Sequence, residues 1–85
     1  MSTGPIFLSD DVWRNAVSRF RLSPREADIA ASLLNGLSVR QTADFLAIRP
    51  ETVRTYVKRL HDKTNARNSL ALVRAIMATG EPASD

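Results

Sequence analysis

Between Leu37 and Leu60 the apolar side chains fall at positions 43, 46, 48, 53, 57 and 60. That spacing predicts two amphipathic helices joined by a tight turn, each with a second face free for contact with something else. Winding the later helix at about 3.6 residues per turn sets Val53, Val57, Leu60 and Thr64 on one side. Glu51, Arg54, Thr55, Lys58 and Asp62 line the opposite side, and Thr52, Tyr56, Arg59 and Lys63 fill the edge between them. The face turned away from the core is therefore rich in cations. A helix with Arg, Thr and Lys in its first two turns is one that a DNA major groove accepts, because the groove admits one helix and presents base-edge acceptors to such donors.

The flanking pattern predicts three more helices, so the expected fold is all-α. Met1 to Leu8 contains Gly4 and Pro5 and has no helical period, which predicts an extended or disordered lead. Ser9 or Asp10 then caps a helix to about Phe20, with Val12, Trp13, Ala16, Val17 and Phe20 on one narrow face. Trp13 and Phe20 are expected to extend the core; the alternative is an interaction surface or the end of a linker. Ser23, Pro24 and Glu26 form a capping box worth about 1 kcal/mol. The helix they open buries Ala27, Ile29, Ala30, Leu33 and Leu34 and stops at Asn35-Gly36, where glycine tolerates the left-handed cap. Ser38 and Gln41 repeat the box for a short helix to about Leu46.

A last helix runs from Asn68 or Ser69 to Gly80. Leu70, Leu72, Val73, Ile76 and Met77 take one broad arc, Ala71, Ala75 and Ala78 much of the rest, and only Ser69, Arg74 and Thr79 are polar. Such a helix needs cover on two sides. One is the core; the other is expected to be a twin helix across a two-fold axis, or else the Trp13 helix folded back, leaving a monomer. The domain reading is a lead over 1–8, an extra helix over 9–21, a helix-turn-helix body over 22–80 and a frayed tail over 81–85.

Composition narrows the possible functions. Eighty-five residues, 44% of them hydrophobic, make one small domain with a modest core. Without cysteine it has no disulfide and no thiolate, and its single histidine excludes most Ser-His-Asp and multi-histidine metal arrangements. Ile6, Phe7 and Leu8 are the whole apolar run at the start, with no basic residue before them, so neither a signal peptide nor a membrane span is expected and a cytoplasmic location follows. No carboxylate pair, nucleophile with its base, or phosphate-cradling glycine loop is visible, so neither an enzyme nor a cofactor is expected. The net charge of +3 is unevenly spread: residues 37–67 carry seven basic and three acidic groups, residues 1–36 carry four of each, and residues 68–85 one basic and two acidic. The surplus lies on the predicted helix-turn-helix, where attraction to phosphates needs it.

From Leu22 to about Ala78 the order LSPRE, NGLS, QTADFLAI, PETVRTYVKRLHDKT and a further helix after ARN resembles the four-helix DNA-binding domain of the LuxR/FixJ/GerE type, found in bacterial transcriptional regulators. The resemblance covers about two thirds of the chain and rests on several short motifs in sequence. It implies a four-helix helix-turn-helix bundle, here with one extra N-terminal helix, whose third helix enters the major groove and whose fourth pairs two protomers. Carried over by position, Arg54, Thr55 and Lys58 face base edges. Ser38, Arg40, Thr52, Tyr56, Arg59 and Lys63 are expected to hold phosphates, as is Arg49 although it departs from the family pattern, and Leu70, Val73, Arg74 and Met77 to form the dimer interface. The expected partner is double-stranded DNA bound by a homodimer on a pseudo-palindrome, either by a stand-alone regulator or by a C-terminal effector domain. His61 is expected to be a surface group near a helix end.

Four departures from the family pattern stand out, two of them in the turn. The turn reads Ala47-Ile48-Arg49 where a glycine and then a serine or threonine are usual, so either Ala47 takes a left-handed conformation at about 1 kcal/mol or the turn is distorted. Arg49 cannot cap the next helix, and Pro50 only partly compensates. Tyr56 stands where histidine is common, and Phe45 where a polar residue is usual. Phe45, with Trp13 and the last helix, supports the competing expectation of a protein-interaction module. A promoter-reading domain of the sigma-factor kind is a third expectation, opposed by the helix after ARN.

Overall fold

The computed structural model describes residues 4–6 and 8–80. Among them are five helices and no strand: α1 (Asp10–Arg19), α2 (Pro24–Leu34), α3 (Val39–Leu46), α4 (Pro50–Thr64) and α5 (Ser69–Gly80). Four of them start at a side chain that accepts from the amides exposed in the first turn. Ser9 Oγ accepts from the Val12 amide at 3.3 Å, and Asn68 Oδ1 from the Ala71 amide at 2.8 Å. Ser23 with Glu26, and Ser38 with Gln41, close both bonds of a capping box. The exception is α4, where Arg49 makes no side-chain cap and Pro50 occupies the first turn.

Left-handed residues end the first four helices. Gly36 takes φ 95° after α2, and Arg21, Ala47 and Asn65 take φ 54°, 57° and 57° after α1, α3 and α4. Ala47 thus accepts the strained conformation, and the Ile48 amide bonds the Ala43 carbonyl at 2.9 Å, so the turn keeps its shape.

α2, α3 and α4 pack on one another as the helix-turn-helix body, while α5 lies against α1 and touches α2. Ile29, Ala30, Ala43, Val53 and Leu60 are buried at the centre, and Trp13, Ala16, Leu72 and Ile76 fill the α1–α5 side. Leu33, Leu34 and Val57, expected in the core, are only half-buried against it. Trp13 is buried, so it serves the core and offers no interaction surface. Of the two covers considered for the last helix, α1 is the one present within the chain. It leaves Leu70 63% and Met77 47% exposed, with Arg74 exposed between them.

The lead departs from expectation at its described residues. Pro5 is buried, the Ile6 amide donates to Asn35 Oδ1 at 2.8 Å, and the Leu8 amide to the Pro5 carbonyl at 3.2 Å. Gly4 lies so close to the Trp13 ring that a Cβ there would overlap it. The sequence offers no period to predict this, because the segment is held by contacts with distant residues. Residues 1–3, Phe7 and the 81–85 tail lie outside the described residues.

Candidate nucleic-acid interface

The outer face of α4 is set by what its inner face buries. Val53, Leu60 and Thr64 are buried, and the helical period then turns Arg54, Thr55 and Lys58 outward, all exposed. Thr64 Oγ1 donates to the Leu60 carbonyl at 2.6 Å and accepts from the Ala66 amide, fastening the end of the helix. Neither Arg54 nor Lys58 has a carboxylate within salt-bridge distance among the described residues. Their charges face solvent, available to an anionic partner. The Thr55 hydroxyl donates to the Glu51 carbonyl at 3.1 Å. With its donor proton engaged, Thr55 offers a partner chiefly its methyl group and a hydroxyl lone pair.

The edge residues divide into two groups. Ser38, Arg40, Arg49 and Arg59 are exposed, and Thr52 and Tyr56 half-buried. The Arg59 guanidinium carbon stands 5.2 Å from the centroid of the Tyr56 ring, a cation–π contact that limits where this long side chain can swing. The Ser38 hydroxyl already accepts from the Gln41 amide at 3.1 Å, leaving its proton for another acceptor.

Lys63 stands apart from the expected phosphate-holding set. Its Nζ donates to Glu26 Oε1 at 2.6 Å and to the Arg21 carbonyl at 2.8 Å, linking the end of α4 to the start of α2 and to the α1–α2 connection. An ammonium so engaged acts as a structural clamp, with one of its three N–H groups left over on a side chain that is 36% exposed. Glu26 is 3% exposed. Burial raises its carboxyl pKa, but the hydrogen bonds from Lys63 and the Ser23 amide, with the lysine charge, outweigh it and hold the group below its ordinary value. The sequence marked Glu26 as a cap and scaffold residue and could not show its second partner, 37 residues away.

Beyond the outward-facing residues of α4, exposed Arg67 joins Lys58, His61, Asp62 and Asn65 around a polar hollow of about 430 Å³ at the end of that helix. Arg67 prolongs the cationic strip and was absent from the residues chosen by position. Its place in the basic 37–67 block was the available signal. Among the described residues no cluster of three or more His, Cys, Asp or Glu side chains could hold a metal, and no helix is long and apolar enough to cross a membrane.

Comparison with curated proteins gives no match, and neither does comparison with solved structures. Comparison with protein families does: residues 21–76 match the GerE family, described as bacterial regulatory proteins, luxR family. The matched span runs from the α1–α2 connection into α5 and contains the whole helix-turn-helix with its cationic face. With two thirds of its length in that match and its helices in that arrangement, the chain belongs to the luxR family of bacterial regulators, carrying that family's DNA-binding helix-turn-helix domain.

Proposed function

We propose that this domain binds specific double-stranded DNA sequences as a homodimer, as part of a cytoplasmic bacterial transcriptional regulator. The observation that carries the reading is the exposed, unpaired cationic face of α4, held outward by the burial of Val53 and Leu60. Arg54 and Lys58 donate to guanine O6 and N7, and the Thr55 methyl meets a thymine methyl. Ser38, Arg40, Arg49, Thr52, Tyr56 and Arg59 hold phosphates and set the register without reading sequence. Arg49 suits this role because no helix cap occupies it.

Leu70, Val73, Arg74 and Met77 recur at three- and four-residue intervals along α5, a stripe that self-pairs across a two-fold axis. Half-sites then lie about 34–36 Å apart, one turn of the duplex. The half-burial of Val73 and the exposure of Leu70 and Met77 support this pairing.

The test is an anisotropy titration with DNA selected for binding. Arg54→Ala should lose roughly 1–3 kcal/mol and relax preference at one base position, whereas Arg59→Ala should weaken all sequences alike and lower the salt slope by about one unit. Unchanged affinity in both variants would refute the assignment.

A further inference from the structure

The second concentration of exposed apolar surface lies away from α4 and α5. A groove of about 550 Å³ opens between the lead, the start of α1, the flank of α2 and the end of α3. Ile6 and Phe45 line it while 89% and 74% exposed, and Pro5 and Leu46 supply more of its apolar wall. Phe45 follows the buried Thr42 and Ala43 near the end of α3 and stands in solvent.

The groove is built rather than incidental. Its lead wall is pinned by the Ile6 amide on Asn35 Oδ1 and by the close seat of Gly4 on the Trp13 ring.

Charge selects the occupant. The ionisable groups lining the groove are the carboxylates of Asp10 and Asp28, and no lysine, arginine or histidine lines it. Neither carboxylate has a salt-bridge partner among the described residues, and Asp28 is half-buried, where attraction to a cation is stronger than in bulk water. In a chain of net charge +3 this is a local negative site. It repels a phosphate backbone, so it does not extend the α4 face. We propose that the groove docks a protein segment bearing one or two large apolar side chains flanked by lysine or arginine. Because none of its lining comes from α4 or α5, such a partner and α4's own ligand can be held at once. The proposal stands independently of what α4 reads.

The test is an amide chemical-shift titration of the isotope-labelled full chain with the acetylated, amidated hexapeptide Lys-Arg-Leu-Phe-Arg-Lys. One control replaces every cation by glutamate, and another replaces Leu-Phe by Ser-Ser. Saturable shifts at Ala31, Ser32, Asn35, Phe45 and Leu46 are expected with the first peptide and not with either control. Phe45→Ala should weaken binding by about tenfold or more. Asp28→Asn combined with Asp10→Asn should remove the preference for the cationic peptide over its glutamate counterpart. Phe45 and Asp10 are exposed and Asp28 is half-buried, and a cooperative melting transition verifies that each variant folds. The proposal is overturned by shifts that map to α5 or to no site, or by binding that none of these substitutions alters. It is equally overturned if light scattering shows that Phe45→Ala dissolves a self-assembly of the unmodified chain, since the occupant would then be a second copy.

Discussion

Replacing Lys63 by methionine keeps the aliphatic stem and removes the ammonium that holds Glu26 and the Arg21 carbonyl. Glu26 would then be a nearly buried carboxylate with only Ser23 left to hydrogen-bond it. It can relieve that state by taking a proton. Protonating a carboxyl with an ordinary value of 4.5 at pH 7 costs about 3.4 kcal/mol, which caps the penalty of leaving the charge unpaired. The Lys63 side chain is itself 36% exposed, so water reaches the vacated place and the loss should be smaller, about 2 kcal/mol. For a domain of this size that lowers the melting temperature by roughly 8–16 °C.

The pH dependence separates this account from a packing defect. In the unmodified chain the Glu26 carboxyl lies below its ordinary value, so its contribution is present above that value and disappears as pH falls through the folded-state value. Without Lys63, the Ser23 hydrogen bonds alone oppose burial, so the carboxyl rises from its present value and that contribution shrinks. Urea denaturation of both proteins should therefore show a penalty that is full at pH 7 and smaller at pH 3, below the ordinary value of 4.5. A penalty of the same size at both pH values would refute the reasoning and place the effect in the lost contacts of the side chain. Glu26→Gln should erase most of the further effect of Lys63→Met, as coupled residues do in a double-mutant cycle.

Three other outcomes follow from single observations. Ala47→Gly removes the cost of a Cβ at φ 57° and should stabilise by about 1 kcal/mol, seen as a melting temperature higher by roughly 4–8 °C. Thr55→Val keeps the methyl and should retain a thymine preference, whereas Thr55→Ser should lose it; replacing that thymine by deoxyuridine should abolish the difference between the two in a binding titration. Leu70→Glu places a charge on the exposed α5 stripe and should yield a monomer by light scattering, with half-site DNA affinity retained.

Much of this protein is legible without its tertiary structure because the signals are local. Ser23 with Glu26 and Ser38 with Gln41 specify helix starts within four residues, and Asn35-Gly36 specifies a stop. The period of Val53, Leu60 and Thr64 by itself orients Arg54 and Lys58, since burying one side of a helix exposes the other. Even the weak points of the turn, Ala47 and Arg49, are visible from residue chemistry alone. What the chain order could not convey are contacts between residues far apart in it. Lys63 has the chemistry of a phosphate ligand, and only the approach of α4 to the start of α2 commits it to Glu26. Gly4 to Ile6 carry no periodic pattern, yet Asn35 and Trp13 hold them in place. The surroundings of α5 depended in the same way on the path of α1: an apolar helix must be covered, but its composition does not say by what, and packing against Trp13 and Ala16 decided which side remained open.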